Sequence, residues 1–192
     1  MSDACAIVGV ADLYGLGIRL GFYFQWLSTL LVTIFRQEEE ALYRVVNLIF
    51  QLAVMTCLVF LTASDSIHAS EVVISVWLLM GALSSLTGDG IVFLGTAAGT
   101  VRILFYAALS AYSTWFWFVG LDRLSATSSI PGCDAVGWFG RASMRGPLRD
   151  FSKAASIVGL AACAGMLAMS VVVMLRKRDS ARVGSNLMLS ES

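Results

Sequence analysis

Long apolar runs almost free of charge constrain this chain more than any other feature. Five stretches reach membrane-spanning length, at about 13–35, 42–62, 70–88, 99–120 and 154–175. A spanning helix needs roughly 20 mostly apolar residues. No water reaches the bilayer centre, so the backbone there must be satisfied within a helix or a closed barrel. The runs are unbroken and lack the residue-by-residue alternation of a barrel strand. The expected fold is therefore all-α, a polytopic transmembrane helical bundle of about five spans.

Composition points the same way. The chain is 58% hydrophobic and 14% charged, against about 45–50% and about 25% for a soluble domain. A soluble core of this size could not hide that excess. Net charge is zero, so no nucleic-acid partner is expected. The opening MSDACAIVGV has no basic n-region or small-x-small cleavage site. The first run is expected to act as an uncleaved signal anchor. The third run is the weakest, because it starts at Glu71 and meets the turn signal Thr87-Gly-Asp-Gly.

Five spans divide the chain into an extracytosolic N-tail (1–11), a transmembrane domain (12–176) with an extramembrane loop at 121–153, and a disordered cytosolic tail (177–192). The orientation rests on basic residues. One face collects Arg36, Arg44, Arg102, Arg176, Lys177, Arg178 and Arg182; the other collects Arg123, Arg141, Arg145, Arg149 and Lys153. The run Arg176-Lys-Arg follows the last span directly and decides the reading, with the C-terminus cytosolic. Cys57 and Cys163 fall inside spans, where a thiol acts as a small apolar group. Cys5 and Cys133 share the predicted outer face, where a disulfide is permitted and two free thiols remain the alternative.

Polar residues inside spans are the first site candidates. Arg19 either snorkels to the headgroups or turns into the bundle toward an acid, with Asp12, Asp65, Glu71 and Asp122 near the same boundary. Gln25 faces Asn47 and Gln51, which lie four apart on one helix face. Amides facing across two helices act as glue, or else line a solute path. Gly17-x-x-x-Gly21 and the small residues of the fifth span predict close helix contacts. The aromatic run Trp115 to Phe118 reads as an interfacial belt or a stacking platform.

Asp65, His68 and Glu71 recur every three residues, and one helical turn would gather them into a cation-holding or pH-sensing group. Solvated boundary residues are the plainer reading. No metal-ligand spacing, P-loop, nucleophile elbow or dinucleotide fingerprint is present, so no catalytic residue, metal or cofactor is assigned. In the loop, Gly146-Pro147 interrupts a four-residue recurrence of basic residues and leaves 148–153 as a short helical lead-in to the last span.

Two motifs carry a resemblance. They are D-x-Y-G-x-G-I-R-x-G-x-Y-x-Q-W, from Asp12 to Trp26, and W-F-W-x-x-G-L-D, from Trp115 to Asp122, with Cys133 shortly after. In these the chain resembles a group of uncharacterised multi-pass membrane proteins of filamentous fungi. The resemblance implies a multi-pass fold and brings no activity with it. In that group an aromatic-rich stretch follows the cysteine; here only Trp138, Phe139 and Phe151 echo it.

The expected role is that of a non-enzymatic channel-, transporter- or receptor-like component of the plasma membrane or endomembranes. Its partners would be the lipid bilayer and either a second copy or another membrane protein. The alternative is a membrane-embedded enzyme for a hydrophobic substrate, with acids such as Asp12, Glu71 or Asp122 as proton donors.

Overall fold

The computed structural model describes residues 15–35, 39–81, 94, 96–128, 135–138, 140–143 and 146–190, with backbone alone at 40, 41, 125–128, 135–138, 140–143 and 179–190. Helices occupy all five predicted segments. They are α1 (Leu16–Phe35), α2 (Glu40–Ala63), α3 (Ala69–Gly81), α4 (Ala97–Trp115) and, last in the chain, α6 (Pro147–Ser190). A π-helical turn (Phe116–Gly120) joins α4 to a short α5 (Leu121–Ser128). A small antiparallel hairpin, β1 (Ala135–Trp138) and β2 (Gly140–Ser143), precedes α6.

Four of these helical segments are long and apolar enough to cross a membrane: Leu16–Phe35, Leu42–Ala63, Ala97–Leu124 and Pro147–Arg178. The fold is a helical membrane bundle. α3 is shorter, with 13 residues, or about 20 Å of helix at ~1.5 Å per residue. It is also the most enclosed helix. Ala69, Glu71, Val72, Val73, Ser75, Val76 and Leu79 are all buried, while α1 and α6 expose most of their surface. An apolar helix open to its surroundings suits lipid, and a short buried one suits a bundle centre.

Cross-links define which helix ends lie together. The Arg123 guanidinium donates to Asp65 at 2.8 Å, and Arg149 meets Asp122 at 2.7 Å. These pairs gather the end of α2, the start of α5 and the start of α6 at one face. Arg19 and Leu148 border a common groove, which brings the start of α1 to the same face. Thr100 and Ser170, 3.3 Å apart, tie the start of α4 to the far part of α6. The chain therefore changes faces between Ala69 and Ala97, and α6 ends opposite the start of α1. α4 against α6 is the most extensive helix contact. It depends on Gly159, where an added Cβ would lie 3.0 Å from the Ser110 hydroxyl.

The turn between α2 and α3 follows from local capping. Ser66 N–H donates to Leu61 O and Asp65 N–H to Thr62 O, the paired bonds of a Schellman cap. That cap needs a left-handed residue, and Asp65 supplies it with φ 52°. His68 then serves as the N-cap of α3. Glu71, three residues on, accepts the His68 backbone N–H at 2.7 Å, the carboxylate half of a capping box.

Several expectations change. Arg44 and Arg102, counted as loop charges, are buried within α2 and α4. α5 begins inside the expected loop of 121–153, because Leu121 and Leu124 pack into the core. The helix of α6 runs on to Ser190 through the tail expected to be disordered; no proline interrupts it after Pro147. The aromatic run is split: Phe116 and Trp117 are buried while Trp115 and Phe118 point outward, as helical periodicity places residues three apart on one side. Of the Gly17-x-x-x-Gly21 pair, only Gly21 faces another helix, with an added Cβ 3.8 Å from the Phe50 ring of α2; Gly17 has no neighbour within 4 Å.

Candidate functional site

Small residues on two facing helices open a recess between α3, α4 and α6. On α4, Ser110 and Ser113 turn inward; on α6, Ser152, Ser156, Gly159 and Cys163 recur at helical spacing on one face. None of these side chains is long enough to fill the gap between the helices. α3 closes the third side with Val76, Trp77 and Met80. The resulting space is about 320 Å³, within the range of small-molecule pockets of about 300–1,000 Å³.

The walls are overwhelmingly apolar, yet several carry hydroxyls. Tyr106 and Ser152 line the cavity, and their hydroxyls are buried with no hydrogen-bond partner among the described residues. Buried polar groups are nearly always paired with protein, water or ligand. Arg102, buried on α4, brings a cation to the same wall. Ser156 is satisfied locally, donating to the Lys153 carbonyl at 2.9 Å.

The π turn shapes one end. It inserts an extra residue into the ladder, with Leu121 N–H reaching Phe116 O five residues back, and this directs Trp117 into the cavity. Such turns recur at functional sites. Arg149 braces the turn from α6, donating from Nε to the Trp117 carbonyl at 3.2 Å and from both terminal nitrogens to Asp122, at 3.2 and 2.7 Å.

No known protein family, curated protein or solved structure matches the chain.

The predicted site residues fall elsewhere. Arg19 is exposed on α1 and borders a separate groove. Glu71, its expected partner, is buried on α3 against His68, with Nδ1 at 3.4 Å. Asp12, the other expected partner, lies outside the described residues, as do Cys5 and Cys133. The three-amide cluster is also rearranged. Asn47 donates to Thr29 Oγ1 at 2.6 Å, and Thr29 donates to the backbone carbonyl of Gln25 at 2.8 Å. The Gln25 side chain is partly exposed, and Gln51 is buried with its Oε1 unpartnered among the described residues. The Asn47–Thr29 bond fits helix glue.

Asp65, His68 and Glu71 do not share a helical turn, because the Schellman cap separates Asp65 from the other two. Among the described residues, no group of three His, Cys, Asp or Glu is placed to hold a metal ion. Asp65 and Asp122 serve the two ion pairs of the common face.

The sequence does not single out the serines of the cavity, and it places Gly159 and Cys163 only among the small or apolar residues of a span. Their signal was present as two facing series, Ser110-x-x-Ser113 and Ser152-x-x-x-Ser156-x-x-Gly159-x-x-x-Cys163.

Proposed function

We propose that this chain is a non-enzymatic, receptor- or transporter-like membrane protein. It takes up a small, mainly apolar molecule with one or two hydrogen-bonding groups in the cavity between α3, α4 and α6. The carrying observation is the pair of buried hydroxyls of Tyr106 and Ser152, unpartnered among the described residues, in a largely apolar cavity of about 320 Å³. A ligand hydroxyl, carbonyl or amine would satisfy them, and its carbon skeleton would sit against Ile103, Trp117 and Met166.

The catalytic alternative has less support. Two of the three boundary acids it would use carry structural roles, Glu71 in a helix cap and Asp122 in a forked pair with Arg149, and Asp12 lies outside the described residues.

Native mass spectrometry of gently purified protein tests the reading. The wild type should retain a co-purified small molecule. Ala162→Phe, which fills the cavity from α6, should lose it. A wild type that carries no such molecule, or a variant that carries the same one, would count against the proposal.

A further inference from the structure

A second recess lies on the other side of Trp77 and is chemically different from the cavity. It is a groove of about 680 Å³ between α1 and α3, open on one side. Arg19 and Tyr23 stand at one end, near the start of α1. Trp26 and Gly81 close the other end, and Ile74, Trp77 and Leu78 form the wall. Arg19, Tyr23 and Trp26 are spaced four and three apart and so share one face of α1. From Arg19 to Trp26 the groove descends about 10 Å along the helix axis.

The charge is one-sided. Arg19 is the only charged residue among the described groove-lining residues, and no ion pair to it occurs among the described residues. Tyr23 adds a second donor, half exposed, one turn deeper. Below them the walls are aromatic and aliphatic. A guanidinium favours the planar or branched oxygens of carboxylate and phosphate. It sits about 4.5 Å along the axis from the first residue of α1, close to the level where headgroups lie. The groove thus has a cationic head position at the boundary and an apolar slot leading inward.

We propose that this groove binds one acyl-chain amphiphile with an anionic head, its carboxylate or phosphate on Arg19 and Tyr23 and its chain along Trp77 toward Gly81. The proposal is independent of the cavity between α3, α4 and α6. It also accounts for Arg19 without a protein acid, since the counter-charge comes from the ligand.

The test titrates the full-length protein in detergent with phosphatidylglycerol, phosphatidylcholine of the same chains, oleate and glycerol phosphate, with binding followed by native mass spectrometry. Phosphatidylglycerol should bind at least tenfold more tightly than phosphatidylcholine, and oleate should compete with it. Glycerol phosphate, which lacks the chain, should not compete. Arg19→Gln should abolish the preference for the anionic head. Ile74→Trp, which narrows the slot and leaves Arg19 in place, should weaken both phospholipids together. Equal binding of the two phospholipids to wild type would overturn the proposal. So would an unchanged preference in Arg19→Gln, or full competition by glycerol phosphate.

Discussion

Arg149 holds Asp122 through both terminal nitrogens and the Trp117 carbonyl through Nε, all from the first turn of α6. One side chain thereby joins α6 to the π turn and to α5. The fork matches a carboxylate in a way that a lysine ammonium cannot.

The Asp122 side chain is largely exposed, so the ion pair alone is a weak contributor, about 0.2–1 kcal/mol. The bond to the Trp117 carbonyl is more sheltered, and hydrogen bonds to charged groups contribute about 1.5–3 kcal/mol. Arg149→Ala should therefore lower thermal stability in detergent clearly more than Asp122→Asn. Arg149→Lys should behave more like Arg149→Ala than like wild type. Equal losses for Arg149→Ala and Asp122→Asn would show that the carbonyl bond contributes little.

Asp65 occupies a left-handed position that disfavours side chains by about 1–2 kcal/mol, with Asp and Asn tolerated best. Asp65→Ala should destabilise by about 1 kcal/mol, because it keeps the strain and loses the pair with Arg123. Asp65→Gly removes the strain as it removes the pair, so it should remain close to wild type. The stability order of the three proteins in thermal unfolding checks this; Asp65→Ala equal to Asp65→Gly would contradict it.

Glu71 should tolerate glutamine better than alanine. Glutamine retains an acceptor for the His68 backbone N–H, whereas loss of a capping bond costs about 0.5–2 kcal/mol. The readout is again thermal unfolding, and Glu71→Gln as damaging as Glu71→Ala would point to charge as the feature that matters.

Gly159 and Ser110 should behave as a coupled pair. An added Cβ at Gly159 would approach the Ser110 hydroxyl to 3.0 Å, and overpacking typically costs about 1–3 kcal/mol. Gly159→Ala should destabilise the protein, and Ser110→Gly should rescue part of that loss. Additive effects in the double-mutant cycle would separate the two positions.

Hydropathy made the membrane-bundle fold and its long helices legible, because lipid demands continuous apolar length. α1 starts at Leu16 and α2 ends at Ala63, each within a few residues of the expected boundary. The side-chain partners were less legible. Asp122 and Arg149 stand 27 residues apart, and nothing local marks them as a pair. The spacing of Asp65, His68 and Glu71 suggested one helical turn. A cap at the end of one helix and a cap at the start of the next produce the same spacing. Asn47 was matched to Gln25 by amide chemistry, but Thr29 intervenes, because its hydroxyl bonds back to Gln25 O and presents its oxygen to α2. The cavity was hidden because serine and glycine at helical spacing resemble ordinary close packing, and only the facing helix reveals the gap.

The start of α1 and the end of α6 lie on opposite faces of the bundle, and the Arg176-Lys-Arg run leads to the expectation that the C-terminal face is cytosolic. Single cysteines at Asp12 and Ser180, in a background where Cys5, Cys57, Cys133 and Cys163 are replaced, can be probed with a membrane-impermeant maleimide. In intact cells expressing the protein at the plasma membrane, the cysteine at position 12 should label. The cysteine at position 180 should label only after permeabilisation. Labelling of both positions in intact cells, or of neither until permeabilisation, would contradict the arrangement.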